Sequence, residues 1–301
     1  MDLDGTLLNG ESRVPEENIS AIREAVQRGI EIVVVTGRRY HSARLVVDAL
    51  PEKLHVIVNN GALIKTKEGE THQRMLLPSE VARRVLEATT EFRSSAAVVF
   101  DRPRENQVIM EHIDWDDPFR GGYFRRSREF LAEVKPLEDC LADGDGSGRD
   151  ESAAETQRTR RRTQTRTRAD DPIQVMFVGL CAAIRSVLEK LEGLAFRDEF
   201  TIAFTEYLTR DLSVLDVLGR GVSKGAALAE WARHRGIRRE EVMAIGDNWN
   251  DREMLEFAGL PVVMGNCVEG LKSRGWTVTL SNDEAGLAHA IRQYALKSSD
   301  E

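Results

Sequence analysis

Cysteine is scarce in this chain, with three residues among 301, and none of them stands in a CxxC pair. Cys140, Cys181 and Cys267 are widely spaced and odd in number, so the sequence indicates neither a disulfide framework nor a cysteine zinc site. The first residues also lack the apolar core of a secretion signal. We therefore expect a protein of the reducing cytoplasm.

Long apolar runs are missing as well. No stretch approaches the roughly 18 consecutive apolar residues that a membrane-spanning helix needs, which excludes a membrane protein. The formal net charge is −8, so there is no excess of positive charge for a polyanion, and nucleic acid is not expected as a partner. Any phosphate that the protein binds must be met by local positive charge or by a metal ion.

A third shortage is local. Residues 142–171 contain almost no apolar side chains, and the segment is first acidic and glycine-rich and then rich in arginine and threonine. Such a composition cannot bury enough surface to order itself, so we predict a disordered loop, with contact to a nucleic acid or another anionic partner as the alternative. We do not expect this loop to carry the chemistry.

Elsewhere, short runs of β-branched residues alternate with amphipathic stretches, which is typical of βαβ units. The pattern predicts a helix over 16–28 and a buried strand over 30–35. Further strands are predicted over 55–58, 242–245 and 261–264, and a further helix over 225–234. These segments predict an α/β fold, a doubly wound, Rossmann-like parallel sheet whose strand ends carry polar residues.

The length allows two domains, and the middle of the chain follows a different pattern. Strands of a mixed or antiparallel sheet are predicted over 96–101, 107–113, 173–179 and 200–207, with helices over 79–92 and 182–191. We therefore expect an inserted α+β domain over 65–216, while 1–64 and 217–301 together form the parallel-sheet core.

The most informative chemical pattern lies at the start of the chain. Asp2-Leu3-Asp4-Gly5 places two carboxylates two residues apart and directly ahead of a glycine. At the end of a strand, with the chain turning sharply at the glycine, both side chains and nearby carbonyls can converge on a cation. Taken alone, the pattern could equally mark a turn.

Two further segments offer groups that bind phosphate. Thr36-Gly37 follows the strand over 30–35 and can donate an O–H and a close backbone N–H to a phosphate oxygen. Lys224 stands at the start of a helix, where an ammonium group and the helix N-terminus together favour an anion. Considered singly, the first is also a common turn and the second a common solvated lysine.

A fourth segment offers ligands for a metal. Asp247 follows the strand over 242–245 and can ligate a hard cation, while Asp251 lies one helical turn later on the same side and can support it. A capped, solvated helix start is the alternative for this segment alone. Together, in this order and at these strand ends, the four features are much more specific than any one of them.

The set resembles the haloacid dehalogenase superfamily. More narrowly, it is similar to the Cof-type phosphatases, whose IIB-type cap is inserted between the second and third motifs. The residues that carry this resemblance are Asn59-Asn60-Gly61-Ala62, Gly221-Val222-Ser223-Lys224-Gly225, Gly246-Asp247, Asn250-Asp251 and Met264-Gly265-Asn266. The motifs cover both ends of the chain, and the middle is matched by its size, position and strand pattern.

The resemblance implies a phosphatase that acts on a small phosphorylated substrate, with sugar phosphates as the expected class. Nucleotides, phosphoglycolate and flavin or pyridoxal phosphates stay open as alternatives. Asp2 would attack the phosphorus in line and form an aspartyl-phosphate. Asp4 would protonate the leaving alcohol and then activate water. Mg²⁺ is the implied cofactor, held by Asp2, the backbone carbonyl of Asp4 and Asp247.

The phosphate itself would be held by four residues, Thr36, Gly37, Lys224 and Asn250. Asp251 would support the metal ligands from behind. Two carboxylates that face a phosphate dianion would repel it without the cation and Lys224. The metal and the lysine are therefore expected to act chiefly through their charge.

One feature departs from the family pattern. In similar proteins the nucleophile follows a central buried strand, yet only Met1 precedes Asp2. A central strand usually has about 5–6 residues, and without it the α-ammonium would lie beside the catalytic carboxylates and compete with the metal. We expect the natural protein to begin upstream of Met1, and the chain as it stands to be poorly stable and impaired in activity.

Two other functions stay open at this point. Phosphotransfer to a second sugar hydroxyl, as in related phosphomutases, uses the same core. A non-catalytic binding protein is suggested by the absent strand and the charged loop, although every position expected to do chemistry is filled. A membrane ATPase with a related aspartate is excluded because membrane spans are missing.

The substrate and the oligomeric state cannot be inferred from the sequence. The inserted domain offers polar and aromatic candidates for substrate contact, although residues of these types more often serve packing or the surface. These candidates are Glu111, His112, Trp115, Arg125 and Glu206.

Overall fold

The protein is described here from a computed structural model that covers residues 1–51, 54–118, 120–141 and 170–297. The loop predicted over 142–171 lies outside these residues, apart from Asp170 and Asp171, and its disorder stays a prediction. None of the helices in the covered ranges combines the length and the apolar character that a membrane crossing demands.

Helices and strands alternate over both ends of the chain, as the βαβ pattern predicts. The α-helices of the described residues are Glu16–Gln27 (α1), Tyr40–Val47 (α2), Ser79–Ala88 (α3), Gly121–Arg126 (α4), Cys181–Glu192 (α5), Lys224–Arg235 (α6), Arg252–Phe257 (α7), Glu269–Lys272 (α8) and Gly286–Ala290 (α9). The β-strands are Ile32–Val35 (β1), Leu54–Val58 (β2), Leu63–Thr66 (β3), Thr71–Arg74 (β4), Ala96–Val99 (β5), Val108–Met110 (β6), Leu131–Glu133 (β7), Gln174–Gly179 (β8), Phe200–Tyr207 (β9), Leu212–Gly219 (β10), Met243–Gly246 (β11), Leu260–Val263 (β12) and Thr277–Val278 (β13).

The helix predicted over 16–28 and the strand predicted over 30–35 are confirmed as α1 and β1. Pro15 precedes α1, and Glu16 and Glu17 occupy its first turn, where negative charge favours the helix dipole. Ile19 and Ile22, one turn apart, are buried. The spacing of apolar residues thus directs one face of α1 to the core.

The two ends of the chain form two sheets, and each contains parallel strands. The first has the order β1-β2-β3-β4, with β1 and β2 parallel and the other pairs antiparallel. The second has the order β11-β12-β13 and is parallel throughout. These sheets confirm the predicted α/β fold, but β3 and β4 were not predicted. The polar sequence of β4, Thr-His-Gln-Arg, lacks the apolar alternation of a strand.

Met1 and Asp2 lie between these two sheets. The Met1 amino group donates to Val33 O at 2.9 Å, and Met1 O accepts from Val35 N at 2.8 Å, which is the bonding of a parallel neighbour of β1. On the other side, Asp2 N donates to Ile245 O of β11 at 3.0 Å. These two residues therefore occupy a strand position between β1 and β11, with Asp2 at its carboxyl end.

A groove of about 730 Å³ lies beside Met1. Its walls include apolar side chains of the two flanking strands, Ile32 and Val33 from β1 and Met243 and Ile245 from β11. The strands that bond to Met1 and Asp2 thus also line the space next to them.

The remaining sheet has six strands in the order β7-β6-β5-β8-β10-β9. Strand β5 is antiparallel to β6 and β8, while β6 and β7 are parallel, so the sheet is mixed, as predicted. The four strands predicted for this region are confirmed as β5, β6, β8 and β9, the first two shorter than expected. Strands β7 and β10 were not predicted.

The helix predicted over 79–92 is too long, because α3 ends at Ala88. Thr89 leaves the helical conformation with a φ of −119°, and its Oγ1 donates to Val85 O at 2.7 Å. A threonine hydroxyl that bonds back to the preceding turn competes with helix continuation. A 3₁₀ segment, Thr90–Ser95, follows.

The chain divides by its internal contacts into two compact units. The first comprises Met1–Met75, Thr201–Ser213 and Arg220–Glu301, and the second comprises Leu76–Phe200 and Val214–Gly219. In the first unit a buried apolar cluster joins the parallel strands to α6 and α7, with members that include Val35, Ile57, Trp231, Met254 and Val263. The domain limits expected from the sequence stay a prediction.

Candidate active site

The chain turns sharply after Asp2. Leu3 O accepts backbone hydrogen bonds from Leu7 N at 3.0 Å and Leu8 N at 2.9 Å, which closes the turn. Gly5 has a φ of +82°, and a Cβ at this position would lie 2.4 Å from Asp247 Oδ2. Only glycine combines this conformation with so close an approach. The glycine of the first motif therefore allows the β11 loop to reach the neighbourhood of Asp2.

Lys224 joins two of the predicted aspartates. It is the first residue of α6, where Ser223 Oγ accepts from Ala226 N at 3.1 Å and caps the helix. The Lys224 Nζ donates to Asp2 Oδ1 at 2.7 Å and to Asp251 Oδ1 at 2.6 Å. With 2% of its surface exposed, the ammonium has these carboxylates as its compensation for lost water.

Asp251 holds the start of the β11 loop. Its Oδ2 accepts from Asp247 N at 2.9 Å and from Asn248 N at 3.0 Å. Thr6 Oγ1 donates to Asp247 Oδ1 at 2.9 Å, which orients that carboxylate. Both oxygens of Asp251 are thus engaged within the protein, whereas Asp247 is oriented from the turn after Asp2.

Asp2, Asp247 and Asp251 form a buried acidic group whose ligand oxygens lie within 4.8 Å of one another. Among the described residues this is the one such group of three or more side chains that could hold a metal ion. The sequence predicted metal ligands at Asp2, Asp4 and Asp247, with the backbone carbonyl as the ligand from Asp4. The side chain of Asp4 does not belong to the group.

The electrostatics of this group are unbalanced. Burial, and then the charge of Asp251, raises the pKa of Asp2 to about 7, against the opposing effect of Lys224. Burial, followed by the charges of Asp2 and Asp251, raises the pKa of Asp247 well above its ordinary value. Burial alone would lower the pKa of Lys224, but Asp2 and Asp251 raise it. Three carboxylates around one ammonium leave negative charge that a cation would compensate.

Asp4 is paired with Arg38, a residue that the sequence analysis did not single out. Arg38 Nε donates to Asp4 Oδ2 at 2.8 Å and Arg38 Nη2 donates to Asp4 Oδ1 at 2.5 Å. The guanidinium and the carboxylate therefore form a bidentate ion pair. The sequence signal was a basic residue directly after Thr36-Gly37, at the same strand end. The pair fixes the plane of the predicted acid and base.

The predicted phosphate-binding residues of the other strands meet at Asn60. Thr36 Oγ1 accepts from Arg38 N at 3.1 Å, which leaves its own hydrogen for another acceptor. Asn250 Nδ2 donates to Asn60 Oδ1 at 3.2 Å. Gly37 packs against the same carboxamide, since a Cβ added to this glycine would lie 3.0 Å from Asn60 Oδ1. The sequence marked Asn60 within a family motif but gave it no role.

Most of the candidate substrate contacts of the inserted region serve contacts within the protein. Glu111 Oε1 accepts from Leu137 N at 3.1 Å, and His112 Nδ1 lies 3.2 Å from Glu133 Oε1. Arg125 Nη1 donates to Trp115 O at 2.6 Å. The fifth candidate, Glu206, is partly buried in β9. Their assignment to a substrate stays a prediction.

The chain is similar to known proteins over nearly its whole length. A family model described as haloacid dehalogenase-like hydrolase matches residues 1–291. The phosphatase YwpJ of Bacillus subtilis strain 168 is 32% identical over 297 residues, which are 97% of each chain. An HMP-PP phosphatase of Serratia proteamaculans is 28% identical over 90% of this chain and 85% of its own.

A solved structure is similar over nearly the whole chain. It is a haloacid dehalogenase-like hydrolase from B. subtilis, with a TM-score of 0.73, 27% sequence identity and coverage of 98% of both chains. The fold and the sequence therefore point to one group of proteins.

Proposed function

Since the chain belongs to the haloacid dehalogenase-like hydrolase family, we propose that it removes phosphate from a small phosphorylated metabolite with Asp2 as the nucleophile. The enzyme is a phosphatase, as the relatives from B. subtilis and Serratia proteamaculans are named. The observation that carries the proposal is the buried Lys224, whose ammonium binds Asp2 and Asp251 beside Asp247. This arrangement offers an ionised carboxylate, positive charge for a phosphate and ligands for a cation in one place.

In the first step a carboxylate oxygen of Asp2 attacks phosphorus. Lys224 holds Oδ1, which leaves Oδ2 to form the new P–O bond while the P–O bond to the substrate alcohol breaks in line. Asp4 enters this step in its protonated form and gives that proton to the departing oxygen. Arg38 keeps the Asp4 carboxyl group in one plane, and each of its oxygens retains a lone pair beyond the arginine.

In the second step the aspartyl-phosphate is hydrolysed. Asp4, now ionised, takes a proton from water, whose oxygen attacks phosphorus and releases Asp2 as a carboxylate together with inorganic phosphate. Lys224, the Thr36 hydroxyl, the Gly37 backbone N–H and the free N–H of Asn250 serve as the donors for the phosphoryl oxygens in both steps. The proton that Asp4 gives up in the first step is therefore regained from water in the second step.

The residues fit a divalent cation, because three buried carboxylates face a single ammonium. Asp2, Asp247 and the backbone carbonyl of Asp4 would hold Mg²⁺, which when bound neutralises charge between the nucleophile and the phosphate. Asp251 supports these ligands from behind, since its oxygens already accept from Lys224, Asp247 N and Asn248 N.

The names of the relatives support a substrate class. The relative from Serratia proteamaculans is named for HMP-PP, and relatives from B. subtilis are named as 5-amino-6-(5-phospho-D-ribitylamino)uracil phosphatases. Each name describes a small phosphorylated metabolite. We assign this enzyme a substrate of the same class, with sugar phosphates as the first group to test.

The test is hydrolysis of p-nitrophenyl phosphate with Mg²⁺ and with EDTA. The parent chain is compared with Asp2→Asn, which keeps the size of the side chain but removes the nucleophilic charge. We expect turnover that requires Mg²⁺ and falls below about a thousandth of the parent rate in Asp2→Asn.

The matched control is Asp48→Asn, the same change at an exposed aspartate whose side chain pairs with Arg44 of the same helix turn. It should retain the parent rate. Turnover that survives in Asp2→Asn, or that EDTA leaves intact, contradicts the proposal.

A further inference from the structure

The turn after β2 has an unusual backbone. Asn59, Asn60 and Gly61 have φ values of 50°, 53° and 106°, so three successive residues lie in the left-handed region. Asn59 and Asn60 are 1% and 3% exposed. Residues other than glycine rarely adopt this conformation, and they persist in it where the surrounding structure holds them. The contacts of this turn are therefore informative.

The backbone of the turn is hydrogen-bonded to the loop that carries Thr36 and Gly37. Asn59 N donates to Arg38 O at 3.0 Å, and Asn60 N donates to Thr36 O at 3.1 Å. These two hydrogen bonds lie on either side of Gly37. They fix the part of the loop whose hydroxyl and N–H face a phosphate in the proposed mechanism.

The side chain of Asn60 reaches a second phosphate-binding element. Its Oδ1 accepts from Asn250 Nδ2 at 3.2 Å, across 190 positions of sequence. This bond determines which end of the Asn250 amide is the donor end. It uses one of the two N–H groups on Nδ2 and leaves the other for a phosphate oxygen.

The third residue of the turn packs against the loop of Lys224. A Cβ at Gly61 would lie 2.2 Å from Ser223 O, so only glycine permits this approach. Ser223 caps α6 directly before Lys224. One three-residue turn therefore contacts all three chain segments that supply the proposed phosphate donors.

We propose that Asn60 is a positioning residue for the phosphate site, whose carboxamide acts through Asn250 without touching the substrate; this inference rests on the proposed function. Its carboxamide holds the Asn250 donor at a fixed distance from the donors of the other two segments. Misplacement of one donor weakens the contacts made to the transferring phosphoryl group, which lowers the rate of the chemical step.

The test is Asn60→Gly, which removes the carboxamide while glycine adopts a φ of 53° without strain. We expect kcat for p-nitrophenyl phosphate to fall about tenfold with little change in Tm. The matched control is Asn106→Gly, the same change at an exposed residue with a φ of 57°. It should leave both quantities unchanged.

A double-mutant cycle shows whether Asn60 acts through Asn250. If it does, the variant that combines Asn60→Gly with Asn250→Ala should be no slower than Asn250→Ala alone, because the bond is already lost. Losses that multiply overturn the inference, and so does an Asn60→Gly variant whose kcat stays within about twofold of the parent.

Binding of inorganic phosphate, measured by calorimetry in the presence of Mg²⁺, gives a readout that does not need turnover. Asn60→Gly should bind phosphate several-fold more weakly than the parent, and Asn106→Gly should not. A parent that binds no phosphate overturns the inference. Failure of the proposed function is distinct, since it appears as turnover that survives Asp2→Asn.

Discussion

On the carboxyl side of Met1, buried charged groups are tied together by hydrogen bonds, whereas beside Met1 the apolar edges of two strands line an open groove. Asp2, Lys224 and Asp251 share two bonds of 2.6–2.7 Å in a site with almost no exposure. The groove has about 730 Å³ between β1 and β11.

This contrast shows what holds the candidate site together. The central strand position is occupied by Met1 and Asp2, with one pair of bonds to β1 and one bond to β11. The side chains of Asp2 and Thr6 are hydrogen-bonded to Lys224 and Asp247, respectively, each more than 200 positions away in the sequence. Geometry at Asp2 is therefore set chiefly by the polar network and only partly by the sheet.

The largest effect is expected when the network loses its cation. Lys224→Met leaves Asp2 and Asp251 buried without their ammonium, which should cost roughly 3–5 kcal/mol of unfolding free energy. Urea denaturation in EDTA measures the change. Lys190→Met is the control, because Lys190 forms an exposed ion pair with Glu91 and should change stability little. A small loss in Lys224→Met would mean that the sheet, and not the network, holds the site.

Binding of Mg²⁺ should have the next largest effect. A cation that binds only the folded protein stabilises it by about 2.7 kcal/mol at a concentration of 100 Kd. Asp247→Asn removes a proposed ligand and one of three crowded carboxylates, while its Oδ1 still accepts from Thr6. The variant should therefore lose the Mg²⁺ effect without losing stability in EDTA.

Urea denaturation of the parent and of Asp247→Asn, each with Mg²⁺ and with EDTA, measures both parts. An equal Mg²⁺ effect in the two proteins would remove Asp247 from the metal ligands. It would also mean that Mg²⁺ does not bind at the buried group of Asp2, Asp247 and Asp251.

The sequence predicted several strands whose side chains are apolar and β-branched, although it missed Leu63–Thr66 and Leu212–Gly219, which are also largely apolar. Ile32–Val35 and Leu54–Val58 are buried on nearly every residue, so their composition alone marks them. Strands Thr71–Arg74 and Thr277–Val278 were not predicted, because one is polar and the other has two residues. Their pairing depends on neighbours that the local sequence does not specify.

The site was predictable where it follows from strand ends. Asp2 and Asp247 were predicted from the rule that parallel strands present their carboxyl ends at one edge, and Lys224 from its place at the start of a helix. The structure brings the three together. Arg38 and Asn60 were missed as partners of Asp4 and Asn250. Those bonds span 34 and 190 positions, and one sequence carries no local pattern for such pairs. The catalytic roles of all these residues stay predictions.

The groove gives a prediction that can break the contrast. Five apolar β-branched residues added ahead of Met1 should pair with β1 and β11 and bury side chains in the groove. Burial of each side chain contributes roughly 1.5–3 kcal/mol, against roughly 1–2 kcal/mol for ordering each residue. With the added ladder hydrogen bonds, we expect a net gain of about 2 kcal/mol.

Urea denaturation of the extended chain measures this gain, with a glycine and serine extension of equal length as the control. The control can form backbone hydrogen bonds but offers no apolar side chains. If both extensions have the same stability, the groove does not accept a strand. A gain for the apolar extension alone would show that the sheet and the network can be strengthened separately.

The smallest expected effect is a pH dependence at the edge of the groove. Burial is the main cause that lowers the pKa of His55, while the charge of Glu31 raises it and those of His72 and Arg235 lower it. A lowered folded pKa favours the neutral ring, so its contribution to stability is present above pH ~6.5 and is lost as the pH falls through the folded value. Glu31 lines the groove and accepts from Trp231 Nε1 at 2.8 Å, so Glu31→Gln should lower the pKa of His55 further.

NMR titration of the His55 ring in the parent and in Glu31→Gln measures both values. An unchanged or higher pKa of His55 in Glu31→Gln would show that the charge of Glu31, at the edge of the groove, does not act on His55.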